Sequence, residues 1–501
     1  MSPRTTGIAL LLYAVLSALM RGLSLSVPVF KIPFLGAAVF GWVLLALLAL
    51  AGGWLVWKGQ RHWQLSPLTL KQFRRFRDIR RGYVSFLVLL GLVGLASLDS
   101  LVVGKRALAV HYEGRFYFPF VTGVLPATTF GLKDDSETDY RELQRQFRAK
   151  GAGNWVLLPL VPYDPKLDTP ETIEEVELRE GIAYHVHDSK PFDGRAYTTF
   201  RDKPEQKRQE WVFRHGLKQG EMRGWDQNNE QVEKGVFEKG QRTAYTDYSE
   251  GRAAALESQT DGKMLTVVYP PSPPSRRHFL GTTSSGGDVL AILFGGMQQS
   301  IIASVLFVSF VFFVGVAAGG ALGYFGGVLD LVGMRLIEIL SVLPFLFVVM
   351  IISSVISPSL PVLVGVIAFF SWMGTTIYIR TAVLREKARD YVASARLLGT
   401  GTARIIFKHI LPNSIAILVT LAPFEVAAII TALAGLDYIG FGLPPEEPSW
   451  GRLLHEGTED FNYPWIVSSA FFAMTLVLVL VTFVGEAVRE AFDPKKFTTY
   501  Q

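Results

Sequence analysis

Long unbroken runs of apolar residues decide what this chain can become. Gly7–Met20, Gly36–Trp57, Val84–Val103, Ile301–Tyr324, a stretch opened by Met334–Glu338, Leu360–Tyr378, Ser414–Leu436 and Trp465–Glu486 read as transmembrane helices. About 20 such residues cross a hydrocarbon core of about 30 Å. The expected fold is therefore an α-helical polytopic membrane protein with about eight transmembrane helices. Composition agrees: 50% of the 501 residues are hydrophobic and mean hydropathy is +0.29, too apolar for an average soluble enzyme. Gly7–Met20 follows Arg4 and has the form of a signal-peptide core. No small-residue cleavage site precedes a soluble domain, however, and a second apolar run follows at once, so both read as uncleaved helices.

Charge placement sets the expected topology. Lys58 to Tyr83 carries Lys58, Arg61, Lys71, Arg74, Arg75, Arg77, Arg80 and Arg81 against Asp78 alone, which marks that segment as cytoplasmic. Leu70–Arg81 is expected to lie as a basic helix on the inner leaflet. The net charge of +5 is explained by this clustering beside apolar spans, and not by a nucleic-acid partner. The absence of cysteine excludes disulfides, thiolate metal sites and cysteine nucleophiles. The expected organisation is two extra N-terminal helices (1–60), a basic cytoplasmic segment (61–83), a first core helix (84–103), a periplasmic domain (104–280), and a helical core (281–495), with both termini cytoplasmic.

The polar stretch 104–280 has its own pattern. Val110–Phe120 alternates in strand fashion and is rich in aromatics. Glu210–Gly220 aligns with Lys234–Ala244 at an offset of 24 residues, and a less regular copy ends in Pro191–Gly194. Each copy is an aromatic strand, a Gly turn and another aromatic strand, which predicts a run of β-hairpins near 185–250 resembling MORN-type repeats. His185 and His187 share one strand face beside Asp188, but no third clustered ligand accompanies them, so the expectation is a solvated strand face and no metal.

Between two spans lies a basic island, Asp390–Gly399 continuing to His409–Asn413. Tyr391–Leu398 reads as a short helix, Gly399–Thr402 as the turn that breaks it, and Ala403–Ile410 as the start of a second helix, with Pro412 where helical pairing is interrupted or just starting. Seven Lys or Arg lie between Arg380 and Lys408, so this loop too is expected in the cytoplasm. Tyr391, Ala393, Ser394, Ala395, Gly399, Leu411 and Pro412 together resemble the signature cytoplasmic loop of ABC importer permeases. In that family the loop forms a coupling helix that docks on an ATPase subunit. Ala393 stands where Glu is usual, so a salt bridge made by that Glu is not implied here.

Further residues carry the same resemblance. Phe279–Val289 is similar to the outer motif of peptide-importer permeases, contributing Gly281, Thr282, Gly286 and Asp288, with Gly287 where Arg is usual. Asp288 can cap a helix beginning at Val289. The likeness is to the second permease subunit of oligopeptide and dipeptide importers, nearest the microcin C and peptide importer permeases. It rests on Arg80–Tyr83, Tyr117–Pro119, Pro273–Ser275 and Gly485–Arg489. It implies a heterodimer with a second homologous permease, two ATPase subunits or one twin-ATPase chain, and a periplasmic peptide-binding protein. ATP and Mg would be bound by the ATPase partners and no cofactor by this chain. The phosphate loop is indeed absent here, since Gly104–Lys105 is followed by Arg106 and Gly262–Lys263 by Met264.

Glu425 is the one acidic residue well inside an apolar run. A carboxylate there is costly and should face the bundle interior or a wet cavity. It reads either as a residue of the translocation path or as a buried carboxyl bonded to a neighbouring helix. An intramembrane hydrolase would need paired catalytic groups at one depth, yet no His falls within a span and Glu425 has no carboxylate companion. A sensor built on the periplasmic repeats would explain the insert but would not need the loop at 390–412.

Overall fold

Inside a bilayer a segment must satisfy its backbone N–H and C=O groups internally, and the apolar runs accordingly form helices. The computed structural model describes residues 3–22, 45–56, 67–98, 101–248 and 263–492, apart from short gaps. Its helices are Pro3–Gly22 (α1), Pro67–Asp78 (α2), Arg80–Ser97 (α3), Tyr140–Lys150 (α4), Val289–Phe325 (α5), Gly327–Val342 (α6), Phe345–Val355 (α7), Leu360–Lys387 (α8), Asp390–Leu397 (α9), Leu411–Tyr438 (α10), Trp450–Glu459 (α11) and Pro464–Phe492 (α12). Among the described residues five helices are long and apolar enough to cross a membrane, or six if α6 and α7 form one span. The apolar part of α1, Thr6–Leu19, is shorter. Most of the expected second span, 36–57, lies outside the described residues.

Several boundaries differ from expectation for identifiable reasons. The expected span 84–103 begins at Arg80 and ends at Ser97, because the arginines before it continue the helix. The helix expected from Val289 and the span at 301–324 are one helix of 37 residues, about 55 Å long and so longer than a bilayer core. Gly326 alone separates this helix from α6. At Pro344 a break of 75° separates α6 from α7, since proline both lacks the N–H that would continue the ladder and disfavours helix at the residue before it.

The chain folds as two compact units, 1–167 with 291–461 and 467–501, and 168–290 with 462–466. The first division falls within the stretch 104–280 that the sequence presents as one polar block. In the larger unit, Phe307, Val311, Val349, Leu363, Ile367, Ile429 and Leu433 from α5, α7, α8 and α10 form the central core. The outer faces stay apolar: Phe313, Val328, Val342 and Val355 are 77–80% exposed, as surfaces meant for lipid or another membrane subunit are.

A close helix contact runs between α5 and α8. A Cβ on Gly315 would lie 2.6 Å from Thr375 Cγ2, on Gly319 2.6 Å from the Thr376 carbonyl, and on Gly323 2.8 Å from the Arg380 carbonyl. Spaced four apart, these glycines form one stripe, and small stripes let membrane helices approach closely where hydrophobic driving force is absent.

Residues 101–167 add a small three-stranded sheet, in the order β2-β1-β3, from Ala109–Tyr112 (β1), Arg115–Tyr117 (β2) and Trp155–Leu157 (β3). It shares with α4 a core of Val110, Phe130, Tyr140, Leu143 and Phe147. The smaller unit holds Ile173–Arg179 (β4), Ile182–His185 (β5), Gly194–Thr199 (β6), Lys207–Arg214 (β7), Leu217–Lys218 (β8), Gly220–Trp225 (β9), Gln231–Glu238 (β10), Gln241–Asp247 (β11) and Met264–Val267 (β12). They form one antiparallel sheet ordered β11-β10-β9-β7-β6-β12-β4-β5, with β8 on β7. The 24-residue repeat is visible in its turns: His215–Gly216 and Lys239–Gly240 both have positive φ at each position, the backbone that matches a two-residue hairpin to strand twist. Phe213 and Phe237 are equivalent, both facing the sheet's core. His185 packs edge-on against Phe192 with ring centroids 4.9 Å apart, whereas His187 and Asp188 lie outside the described residues.

The glycine stripe generates a matched test. Gly319→Ala should force α5 from α8 and destabilise the protein by roughly 1–3 kcal/mol. Gly320→Ala, where nothing lies within 4 Å of the added carbon, should be nearly silent. Thermal denaturation of both variants in detergent measures the difference, and equal midpoints would contradict the close contact.

Candidate functional site

The polar loop between α8 and α10 is built on the end of the glycine stripe. Val392 and Ala395 of α9 are buried with Tyr324, Ile379, Val383, Ile405 and Ile410. Ala393 and Ser394 face outward, as do Tyr391 and Gly399. Arg396 and Lys387 place their cationic groups 5.3 and 5.7 Å from the Tyr324 ring centroid, so cation–π attraction adds to the apolar anchor. One level further along, Arg380 of α8 pairs with Asp330 of α6 through both guanidinium edges, Nη2 reaching Oδ2 at 2.6 Å. Bidentate pairs of this kind fix direction as well as distance.

The turn after α9 follows from one glycine. Gly399 has φ +74°, a left-handed conformation that a Cβ disfavours. Its N–H donates to Arg396 O and the Thr400 N–H donates to Ala395 O, which is the Schellman arrangement that ends a helix. No other atom lies within 4 Å of a Cβ built there, so the requirement for glycine is one of backbone and not of space. Leu397 and Leu398, just before the turn, are 89% and 85% exposed, and Phe407 is 70% exposed.

The second helix expected at 403–410 runs into α10 without interruption. Thr402–Arg404 is one α-helical turn and Ile405–Ile410 a π-helical one. The Leu411 N–H reaches back five residues to Ile406 O. This widened turn accommodates Pro412, whose missing N–H would otherwise break the ladder. Leu411 is half-buried and Pro412 exposed.

Glu386 is the residue that motif reading missed. It is 6% exposed, accepts a hydrogen bond of 2.8 Å from the Tyr391 hydroxyl, and lies 3.4 Å from Arg389 Nε and 3.6 Å from Arg385 Nε. A carboxylate therefore sits against the short helix even though Ala393 supplies none. The only sequence signal was an acidic residue inside a run of basic ones.

The other candidate groups lie elsewhere. Within the smaller unit, Gly281, Thr282, Gly286 and Asp288 tie residues 272–289 into a knot. The Thr282 N–H donates to Ser272 O, its Oγ1 accepts from the Ser272 N–H at 2.7 Å, and Trp465 Nε1 donates to Thr282 O at 3.1 Å. A side chain at Gly281 would meet both Ser272 O and Trp465. The Gly286 N–H donates to Thr283 O, and buried Asp288 bonds His278 Nδ1 at 2.8 Å through Oδ2. Within the larger unit, Asp437 at the end of α10 accepts from the Leu443 N–H and the Ser449 hydroxyl. Arg452 donates to the carbonyls of Leu443, Pro444, Pro445 and Glu447. Trp450 Nε1 donates to Leu293 O. Glu447 in turn accepts from Lys166 Nζ at 2.6 Å and Gln299 Nε2 at 2.7 Å. Glu425 stands half-buried on α10, two residues after Pro423.

Comparison with known proteins identifies relatives of this chain. Residues 312–498, from within α5 to beyond the end of α12, match the family described as the binding-protein-dependent transport system inner membrane component. The chain is similar to the inner membrane ABC transporter permease protein YejE of Escherichia coli (strain K12), 30% identical over 86% of this chain and 99% of that protein. It is also 30% identical to the peptidoglycan transport system permease protein YejE of Agrobacterium fabrum, over 88% of this chain and 96% of the relative. The oligopeptide transport system permease protein OppC of Mycobacterium bovis is 34% identical over 44% of this chain and 77% of its own length.

The hydrogen bond from Tyr391 to Glu386 predicts a local loss. Tyr391→Phe should leave the fold intact but cost about 1 kcal/mol in α9, which is about fivefold in opening equilibrium. Hydrogen exchange of the amides at 391–398 should quicken by that factor while α8 is unchanged, and unaltered exchange would show that the contact does not restrain the helix.

Proposed function

This chain belongs to the family of inner-membrane components of binding-protein-dependent transport systems, and from that premise we propose that its 390–412 loop couples the import of peptides to ATP hydrolysed by partner subunits. It is a permease subunit of an ABC importer; hydrolysis belongs to a separate subunit. The peptide cargo is supported by two relatives, one named for oligopeptide and one for peptidoglycan transport, cargoes that share amide-linked amino-acid chains. The proposed assembly adds a second homologous permease, two ATPase subunits or one twin-ATPase chain carrying ATP and Mg, and a peptide-binding protein. The loop and both termini face the cytoplasm, and the hairpin sheet faces the periplasm.

The observation that carries the coupling role is the two-sidedness of α9. One face is buried on the ends of α5, α8 and α10, and Leu397 and Leu398 stand out from the other, 89% and 85% exposed. Apolar side chains so placed fit a groove on a partner. Motion of that partner reaches three spans at once, because Val392, Ala395 and the Arg396–Tyr324 contact leave α9 no independent freedom. Packed elements shift between discrete arrangements and do not deform continuously, so displacement below the membrane becomes rearrangement within it. The outer knot at Gly281, Thr282, Gly286 and Asp288 serves the entrance side, where the binding protein delivers cargo.

Two variants test this reading. Gly399→Val places a β-branched side chain at φ +74° and should cost about 1–2 kcal/mol at the turn. In the assembled transporter it should lower uptake severalfold while ATP hydrolysis persists, and Gly399→Asn, which tolerates that φ, should retain most uptake. Normal uptake by the valine variant would remove the coupling role from this loop.

Glu425 is proposed as a residue of the translocation path. It lies about 21 Å along α10 from Leu411, where a charge facing lipid costs at least about 2.5 kcal/mol. Glu425→Gln keeps shape and removes charge. It should depress uptake of basic peptides more than neutral ones, with the ATPase subunits still bound; equal uptake of both would leave only a structural role.

A further inference from the structure

Helix α2 precedes the first span of the larger unit and carries no apolar surface that the bundle uses in full. Its sequence, Pro67–Asp78, places Leu70, Phe73 and Phe76 at successive spacings of three, so they share one side of the helix. Phe76 is fixed to the next helix, edge-on to Tyr83 at 6.3 Å and to Phe86 at 5.8 Å. Phe73 and Leu70 are left 59% and 43% exposed. Lys71 and Arg74 beside them and Arg77 one turn beyond Phe73 are exposed, and Arg80 and Arg81 follow across a single non-helical residue, Ile79. Arg81 lies 3.4 Å from Glu486 on α12; Asp78 is the one acidic residue on α2 itself.

Three features name the occupant of this face. The helix is joined by one residue to a membrane span, so it cannot stand far from the membrane surface. Its exposed apolar residues are bordered by cations on a helix of twelve residues, the composition that beds at the headgroup boundary. The excess of positive charge is complementary to anionic lipid, worth about 1 kcal/mol for each Lys or Arg near the surface. We propose that α2 is an interfacial anchor that binds anionic phospholipid headgroups of the inner leaflet. Phe73 and Leu70 enter the acyl boundary, and Lys71, Arg74 and Arg77 meet the phosphates. The Phe76 contacts with Tyr83 and Phe86 tie this seat to the start of α3. This inference rests on the membrane topology proposed above but not on the loop at 390–412 or on peptide as cargo.

The chain has no cysteine, so Phe73→Cys gives a single site for an environment-sensitive fluorophore in the full-length protein. The labelled chain is reconstituted in phosphatidylcholine discs, alone or with about one third phosphatidylglycerol. The expected result is a blue shift, and quenching by nitroxide-bearing lipid, that grow with phosphatidylglycerol. Both should reverse at about 1 M salt, where screening shortens to about 3 Å. Replacing Lys71, Arg74 and Arg77 by Gln should lower the bound-to-free ratio on the order of 100-fold and abolish the lipid dependence. A label equally buried in both lipids and insensitive to salt would mean that the face is covered by protein. A label equally exposed to water in both would mean that it meets no membrane. Either result overturns the proposal, and both are read on the chain with its charges intact.

Discussion

The contact on which the helical unit depends is the close approach of α5 to α8 along Gly315, Gly319 and Gly323. Carbonyls and side chains of α8 occupy the positions that Cβ atoms on these glycines would need, at 2.6–2.8 Å. In hydrocarbon, burying apolar surface gives helices no reason to associate, so the free energy comes from dispersion across a seam with no side-chain thickness. The seam ends one residue before Tyr324, opposite Arg380 and Val383. That is where α9 is received, and where Arg380 holds Asp330 of α6. The position of the loop is thus set by a packing decision made inside the membrane.

The two ends of α10 are held by different means. At the loop end, Ile405–Ile410 opens into a π turn before Pro412, a local loss of ladder regularity that apolar packing of Ile405 and Ile410 offsets. At the far end, Asp437 and Arg452 bind backbone groups of 443–447 that no regular element pairs. A connection with many prolines cannot satisfy its own carbonyls in a helix or sheet, so one guanidinium, with donors in a fixed fork, substitutes for secondary structure. A lysine would present its donors from a point and could not span four carbonyls.

The smaller unit obeys a different rule. Its hairpins need a core of their own, and the repeated aromatic positions at Phe213 and Phe237 provide it with Trp211 and Phe192. Arg208, fully buried in the sheet, is held by Glu233 at 2.8 Å and by the Trp225 carbonyl, with Gln209 also donating to Glu233. A buried charge persists only when paired and hydrogen-bonded, and this one links neighbouring hairpins that apolar contacts alone would leave free to slip in register.

Much was legible in the sequence because the bilayer and the backbone are uniform constraints. Apolar length located the spans after residue 80, charge marked the loops, and Gly399 announced a left-handed turn. The 24-residue repeat foretold the paired turns at His215–Gly216 and Lys239–Gly240. These are short-range properties, in which a residue's effect depends on neighbours a few positions away. What only the tertiary structure decided was long-range. The glycine stripe has meaning only once α8 lies against it. Glu386 becomes the carboxylate beside α9 only when Tyr391 folds back to it, and Asp330 gains its purpose from Arg380, fifty positions along the chain. No periodicity records which helix faces another, because the same apolar surface satisfies lipid and protein alike; shape complementarity, visible only in three dimensions, makes the choice.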